Sequence, residues 1–166
     1  MINLRIGLDI DDVLAGFFDM YKVVYNRPKD MIDANITKNV LKLKTNKEFW
    51  TTLPKLRDID FVPSIYCTKR INKKSWTKDW LASNKFPERP VYQMYYQKGN
   101  KATMIRGKVD VFIDDSISNF IKINASGIPC LLMDAPHNQG FETPYRIFNL
   151  KLSEIKEKYN EYIRSN

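Results

Sequence analysis

Residues 8–14 of the chain read LDIDDVL and follow apolar residues at positions 4, 6 and 8, a pattern typical of a buried β-strand that ends in a loop. In an extended segment the side chains of residues i and i+2 leave on the same side, which brings Asp9 and Asp11 together. Two neighbouring carboxylates repel each other and need a compensating charge. Mg²⁺ can supply it, because it takes hard oxygen ligands and keeps positions open for phosphate and water. For this segment alone, the alternative is an acidic turn that water solvates.

The size and composition of the chain are those of an ordinary globular domain. Its 166 residues suffice for one domain with a sizeable core, and 43% of them are hydrophobic and 28% charged. No apolar run has the length of a membrane span, and the first residues lack the pattern of a secretion signal. Cys67 and Cys130 lie in apolar runs, where a thiol behaves as a small hydrophobic group. We therefore expect no disulfide framework and a cytoplasmic location.

The positive charge of the chain is concentrated in one segment. The net charge is +8, and the stretch from Lys69 to Lys108 contains eleven lysines or arginines but only two acidic residues. Such a segment can attract an anionic substrate or bind nucleic acid, and a solvated helix face is the third interpretation.

Short apolar runs of strand length alternate with helical patterns along the chain. Most of the runs lack polar alternation, which is typical of strands buried on both faces. This alternation predicts a Rossmann-like α/β fold, with a parallel sheet of about five strands and helices on both faces. The predicted strands are residues 4–10, 62–67, 90–95, 109–113 and 129–133, and the predicted helices between and after them are residues 75–83, 101–107 and 153–163.

The interval between the first two predicted strands is about fifty residues, which is too long for one crossover helix. Helical patterns at residues 14–25, 31–43 and 46–53 fill this interval. We therefore predict a small helical cap, residues 14–60, inserted after the first strand. The core domain then consists of residues 1–13 and 61–166.

Polar residues follow two further strands. The second strand runs into Thr-Lys-Arg at 68–70, and the fourth runs into Asp114 and Asp115. Ligands of parallel α/β sheets bind beyond the carboxyl ends of the strands. We therefore expect these residues to lie at one sheet edge with Asp9 and Asp11.

Several of these residues also have a purely structural interpretation. Thr68 can be a turn residue, and Lys101, at the start of a predicted helix, can be solvated. Asp115 or Ser116 can cap the helix that follows the fourth strand. His137, the single histidine, is predicted to be a turn residue without a chemical role.

In their order along the chain, these residues resemble the motifs of the haloacid dehalogenase superfamily of phosphatases, and the resemblance spans most of the chain. The matching motifs are Asp9-x-Asp11-x-Val13, Thr68, Lys101 and Asp114-Asp115. The chain is most similar to the 5'(3')-deoxyribonucleotidase family, which also has a helical cap after the first motif. That similarity is carried by Phe17, by Phe49-Trp50-x-x-Leu53-Pro54, and by Thr68-Lys69-Arg70 followed by Trp80-Leu81, as in bacterial and phage members.

The resemblance implies Mg²⁺-dependent hydrolysis of a nucleoside monophosphate. Asp9 would attack phosphorus to form an aspartyl-phosphate, and Asp11 would protonate the leaving oxygen and then activate water. Asp9, the backbone carbonyl of Asp11 and Asp114 would hold Mg²⁺. Thr68 and Lys101 would bind the phosphoryl oxygens.

The resemblance also implies residues for substrate binding. Phe17, Phe49 and Trp50 of the cap would contact the nucleobase, although they can equally well form the core of the cap. Lys69 and Arg70 are the other candidates for contact with the substrate.

Alternatives remain for one residue and for the function. Lys98 lies near Lys101 and is the alternative phosphate-binding lysine. A 3'-phosphatase acting on nucleic-acid ends would explain the basic segment, as would a nucleic-acid-binding module without turnover. The acids argue against the binding module, because carboxylates directed at a polyanion repel it.

Overall fold

The structure, a computed structural model that describes residues 4–27, 35–94 and 99–165, contains a six-stranded parallel sheet. Its strand order is β3-β2-β1-β4-β5-β6. The strands are β1 (Ile6–Leu8), β2 (Ile65–Thr68), β3 (Val91–Gln93), β4 (Val111–Asp114), β5 (Cys130–Met133) and β6 (Arg146–Ile147). The predicted Rossmann-like α/β fold is confirmed, with six strands rather than about five. Strand β6 was not predicted, because a two-residue strand is too short for a detectable pattern.

The four central strands are buried along their whole length, as expected for strands covered on both faces. The apolar runs in the sequence are longer than the strands. Ile10, for example, lies beyond β1 in a turn but is fully buried. Apolar residues in the connecting turns therefore extended the predicted strands beyond the hydrogen-bonded ladder.

Helices follow most of the strands, and polar side chains begin several of them. The Asn100 side chain accepts a hydrogen bond from the Ala102 backbone N–H, and Ser116 Oγ accepts one from Asn119 N–H. The helices of the core are α4 (Lys74–Ser83), α5 (Lys101–Ile105), α6 (Ile117–Ala125) and α7 (Leu152–Ser165). Ser116 thus has the capping role that the sequence allowed.

Among its described residues, the segment between β1 and β2 contains three short helices and a turn of 3₁₀ helix. They are α1 (Phe17–Val24), α2 (Ile36–Lys42), the 3₁₀ helix Leu43–Thr45, and α3 (Lys47–Thr51). Helix α1 begins three residues later than predicted, because Leu14 and Ala15 donate their N–H groups to the Ile10 carbonyl and form a turn. The predicted helix at 31–43 begins outside the described residues, and α2 is its described part.

The helical cap and one face of the sheet share a single hydrophobic cluster. This cluster joins Ile6 and Leu8 of the sheet to Phe49 and Trp50 of the cap. A second cluster on the other face contains Cys67 and Cys130 among other residues. The described cap helices are therefore packed onto the sheet through a continuous apolar cluster.

The two cysteines are free and buried, as the sequence predicted for small hydrophobic groups. Burial raises the pKa of the Cys67 thiol to about 12, so this thiol stays protonated. Among the described residues, none of the helices combines the length and the apolar composition needed to cross a membrane.

Candidate active site

Three aspartates meet where the chain leaves β1 and β4. These strands are neighbours, with Leu8 opposite Ile113, so Asp9 and Asp114 end side by side as the sequence predicted. One carboxylate oxygen each from Asp9, Asp114 and Asp115 lies within 4.8 Å of the others. All three residues are buried. Since β1 lies between β2 and β4, this is the point where the strand order reverses and ligands of such sheets bind.

The ammonium group of Lys101 lies between two of these carboxylates. Its Nζ is 2.5 Å from Asp9 Oδ2 and 2.6 Å from Asp114 Oδ2, and the side chain is 1% exposed. Lys101 is the first residue of α5, so the capped start of this helix directs it to the strand ends. Lys101, the lysine that the resemblance implies as a ligand of the phosphoryl oxygens, therefore contacts Asp9. The alternative, Lys98, lies outside the described residues.

Burial is the largest influence on the ionisation of this cluster. It raises the pKa of Asp9 well above its usual value; Lys101 opposes this shift, and Asp114 and Asp115 add to it. For Lys101, burial acts to lower the pKa, but the carboxylates of Asp114 and Asp9 outweigh it and the pKa is raised. Lys101 therefore stays charged, and one ammonium faces three carboxyl groups.

The Asp114 carboxylate is held rigidly by the start of α6. Its Oδ1 accepts hydrogen bonds from the Ser116 N–H at 2.9 Å and from Asn119 Nδ2 at 3.0 Å. Asn119 Oδ1 in turn accepts a hydrogen bond from Lys69 Nζ at 2.8 Å. Asn119 was not among the predicted site residues, although a polar residue on the buried face of an apolar helix is a possible signal.

The residues after β2 form the next part of the site. Thr68 is the last residue of β2 and is buried, and its Oγ1 accepts a hydrogen bond from the Arg70 N–H at 3.3 Å. Thr68 and Lys69 both line the same pocket as Asp9 and Lys101. The structure therefore brings Thr68, Lys69 and Lys101 together around the acids, as the sequence predicted.

Asp11 and Arg70 were both expected to contact the substrate, and in the structure they pair with each other. Arg70 donates from Nη2 to Asp11 Oδ1 at 2.7 Å and from Nε to the same oxygen at 2.9 Å. The Asp11 carboxylate thus lies beside Arg70, apart from the cluster of three acids. A role for Asp11 at a metal would involve its backbone carbonyl, as the resemblance implies, and this role stays a prediction.

Aromatic residues of the cap cover the acids. Phe17 and Trp50 are stacked, with ring centroids 5.8 Å apart and an interplanar angle of 22°. Both line a pocket of about 160 Å³ that also contains Asp9, Asp11 and Lys101. Phe49 packs edge-on against Phe17 and Trp50 but does not line this pocket. Phe49 therefore fits the interpretation of these aromatics as cap core. Phe17 and Trp50 lie at the pocket, where contact with a nucleobase stays a prediction.

A histidine contact was not anticipated from the sequence. His137 lies in the 3₁₀ helix Pro136–Asn138, and its Nε2 is 2.7 Å from Asp115 Oδ2. Burial raises the pKa of Asp115, and the hydrogen bond with His137 opposes this shift. The partner of a lone histidine in a loop depends on which other loop the fold places beside it, and the local sequence does not reveal this.

The residue after Asp11 also has an unusual conformation. Asp12 has a φ of 58°, in the left-handed region that aspartate tolerates better than most residues. Its Oδ1 accepts a hydrogen bond from the Phe18 N–H at 3.1 Å. This turn directs the chain from the acids into α1 and places Phe17 over the pocket.

The acid cluster has the donors that a divalent cation requires. Metal–oxygen distances are about 2.0–2.6 Å for Mg²⁺ and Ca²⁺, so oxygens on opposite sides of such an ion are about 4–5 Å apart. The three carboxylates are within this span, and Lys101 neutralises only part of their charge. The residues therefore fit a hard cation bound next to the lysine.

No model of a known protein family matches this chain, and a search of curated proteins finds no significant match.

Proposed function

We propose that the chain is a Mg²⁺-dependent phosphatase of the haloacid dehalogenase type that hydrolyses nucleoside monophosphates. The observation that carries this proposal is the position of Lys101, whose ammonium joins Asp9 and Asp114 at the reversal of strand order. A phosphatase that uses an aspartate nucleophile needs a carboxylate beside a phosphate-binding cation, and both must be shielded from water.

The proposed reaction has two displacements at phosphorus. In the first, a carboxylate oxygen of Asp9 forms a bond to phosphorus while the bond between phosphorus and the nucleoside oxygen breaks. Asp11 gives its proton to that leaving oxygen. In the second, Asp11 takes a proton from water as the water oxygen attacks phosphorus, and the bond to Asp9 breaks to release inorganic phosphate.

The remaining residues hold and neutralise the phosphoryl group. Lys101 and Lys69 contribute positive charge, and Thr68 contributes a hydroxyl donor. Asp9 and Asp114, with the Asp11 backbone carbonyl, would hold Mg²⁺, which supplies further charge neutralisation when bound. Because phosphoryl transfer needs little covalent chemistry from the protein, position and charge supply most of the rate.

The aromatic side of the pocket supports a nucleotide as substrate. Phe17 and Trp50 line the pocket beside the acids, and Ile36 and Val40 of α2 complete an apolar wall. An apolar wall at this place suits a nucleobase, since every base has a face that stacks on an aromatic ring. The free, buried cysteines support the expected cytoplasmic setting.

A second candidate function is a 3'-phosphatase on nucleic-acid ends. It is favoured by exposed lysines at Lys73, Lys74 and Lys78, and by Lys73 Nζ lying 5.7 Å from the centre of the Trp76 ring. A strand of nucleic acid binds such a combination of cations and aromatic faces.

The proposal is tested by a screen of phosphate esters with Mg²⁺ and with excess chelator. We expect release of phosphate from nucleoside monophosphates with Mg²⁺, and none with chelator, because the acids then lack a counter-charge for a dianionic phosphate. Preference for a 3'-phosphorylated oligonucleotide, with activity that falls steeply as the salt concentration rises, would favour the second candidate. Full turnover in chelator would contradict the metal dependence, and no turnover of any ester would contradict the proposal.

The role of the aromatics is tested by Phe17→Leu, with Phe49→Leu as the matched control. Both changes keep an apolar side chain of similar size, but only Phe17 lines the pocket. Base stacking on an aromatic ring contributes about 1–3 kcal/mol. We therefore expect kcat/KM for a nucleotide, relative to that for a small phosphate ester, to fall about tenfold in Phe17→Leu and to stay unchanged in Phe49→Leu. Equal ratios in both variants would show that Phe17 acts only in packing.

A further inference from the structure

The Arg70 side chain is charged yet fully enclosed. Its side chain has an exposed fraction of 0%, while that of Asp11 is 21%. Nε donates to both carboxylate oxygens of Asp11, at 2.9 Å and 3.1 Å, and Nη2 donates to Oδ1 at 2.7 Å. The Asp11 carboxylate is thus hydrogen-bonded on one side to a guanidinium that is inaccessible to water.

Two tryptophans hold the guanidinium in place. Its central carbon is 5.5 Å from the centre of the Trp50 ring and 5.4 Å from that of Trp80. Each indole is itself anchored, because Trp50 Nε1 donates to the Leu43 carbonyl and Trp80 Nε1 donates to the Leu53 carbonyl. Arg70 therefore has little freedom to choose another orientation.

This arrangement is costly for stability alone. Arg70 Nη1 is buried and has no hydrogen-bond partner among the described residues. A buried guanidinium with one unsatisfied donor carries a desolvation cost, and apolar replacements of buried ion pairs are often neutral or stabilising. Orientation of the neighbouring Asp11 carboxylate is a physical reason for such a buried arginine beside a reactive group.

We propose that Arg70 is the positioning residue of the reaction, which orients the Asp11 carboxyl group towards the leaving oxygen of the substrate. This inference rests on the proposed function. Oδ1 of Asp11 receives the two shorter hydrogen bonds from Arg70, so Oδ2 is the oxygen that exchanges the proton. In this arrangement the Arg70 guanidinium is not available to phosphate, since two of its nitrogens are directed to Asp11 and the third is enclosed.

The test compares two esters that differ in their need for a proton. A nucleoside monophosphate releases an alkoxide and needs proton transfer, whereas p-nitrophenyl phosphate releases a stable phenolate and does not. The measured quantity is kcat/KM, which covers only the steps up to departure of the leaving group. Asp11→Asn should lower it about 10²–10⁴-fold for the nucleotide and far less for the aryl ester.

Arg70→Met should show the same selectivity as Asp11→Asn, although to a smaller degree. We expect the nucleotide kcat/KM to fall at least about tenfold more than the aryl value, and Arg70→Lys to recover part of the loss. The double variant Asp11→Asn/Arg70→Met should be no worse on the nucleotide than Asp11→Asn alone, because the two residues act as one unit. The ratio between esters is independent of the fraction of folded protein, so reduced stability does not disturb it.

The matched control is Arg57→Met. Arg57 donates from Nη1 to the backbone carbonyls of Asp12 and Val13 at 3.0 Å and 3.1 Å, so it braces the same loop without touching the Asp11 carboxylate. Any loss in this variant should be equal for the two esters.

The possible failures are distinct. Equal losses on both esters in Arg70→Met, with selective loss in Asp11→Asn, would overturn the positioning role and leave the phosphatase proposal standing. A non-selective loss in Asp11→Asn would remove Asp11 as the proton donor and overturn the inference as well. Failure of the unaltered protein to hydrolyse either ester would overturn both proposals.

Discussion

Asp9→Asn is expected to lower phosphate release by a factor on the order of 10⁴ or more, comparable with the loss of a nucleophile in other covalent enzymes. An amide has nearly the volume of a carboxylate but cannot form the bond to phosphorus. The Ile10 N–H hydrogen bond to Oδ1, at 2.7 Å, can be kept by the amide oxygen. The variant should therefore fold normally and bind substrate without turning it over.

The stability of this variant gives an independent measurement. Burial raises the pKa of Asp9 well above its usual value, so the ionised carboxylate destabilises the metal-free folded protein at neutral pH. Asparagine removes this charge but also removes the ion pair with Lys101, so thermal unfolding in chelator should show a melting temperature close to that of the unaltered protein. A much lower rate combined with near-normal stability is the expected result when a reactive group is lost without loss of the fold.

The matched control for this prediction is Asp12→Asn. Asp12 is a buried acid in the same loop, and burial also raises its pKa well above the usual value. Asparagine tolerates its positive φ and can accept the same hydrogen bond from the Phe18 N–H. We expect this variant to lose less than about tenfold in rate. Near-normal turnover by Asp9→Asn would disprove the covalent mechanism.

Lys101→Met is expected to reduce both turnover and stability. It leaves the Asp9 and Asp114 carboxylates buried without the ammonium that lies 2.5 Å and 2.6 Å from them. Removal of one partner from a buried ion pair costs about 3–5 kcal/mol. For a chain of this size, that is a decrease in melting temperature on the order of 10 °C, measured in chelator.

The same variant should respond to pH in a defined direction. Lys101 acts to lower the pKa of Asp9, so without it the folded-state pKa rises further above the unfolded value. The folded protein then binds more protons than the unfolded chain, and its stability falls as pH rises. The difference in stability between Lys101→Met and the unaltered protein should therefore shrink from about pH 7.5 to about pH 5. Added Mg²⁺ should raise the melting temperature of the variant more than that of the unaltered protein.

Lys69→Met is the control for these measurements. It removes an ammonium from the same pocket, but Lys69 donates a hydrogen bond to the neutral Asn119 side chain and is only half-buried. We expect a loss of about 1 kcal/mol or less and no change in pH dependence. If Lys101→Met has the same melting temperature as the unaltered protein, with the same dependence on pH, Lys101 is not the charge that stabilises the acids.

The sequence predicted the fold class well because its signals are local. Apolar strand-length runs and helical patterns alternate, and each depends on residues close to one another in the chain. The boundaries were less accurate where a turn is buried, as at Ile10, because burial and not hydrogen bonding produces the apolar pattern. The short strand β6 was missed for the opposite reason, since two residues contain no pattern.

The sequence by itself determined that acids, a threonine and lysines lie at strand ends and helix starts, because those positions follow from local residue order. Only the tertiary structure decided the pairings among these charges. The Asp11–Arg70 contact joins residues 59 apart in the chain, and it exists because β1 and β2 are neighbours in the sheet. Likewise, Lys101 lies between Asp9 and Asp114 because β4 pairs with the other side of β1. A charged side chain pairs with the group that the order of strands in the sheet brings within about 3 Å, and that distance cannot be read from neighbouring residues in the sequence.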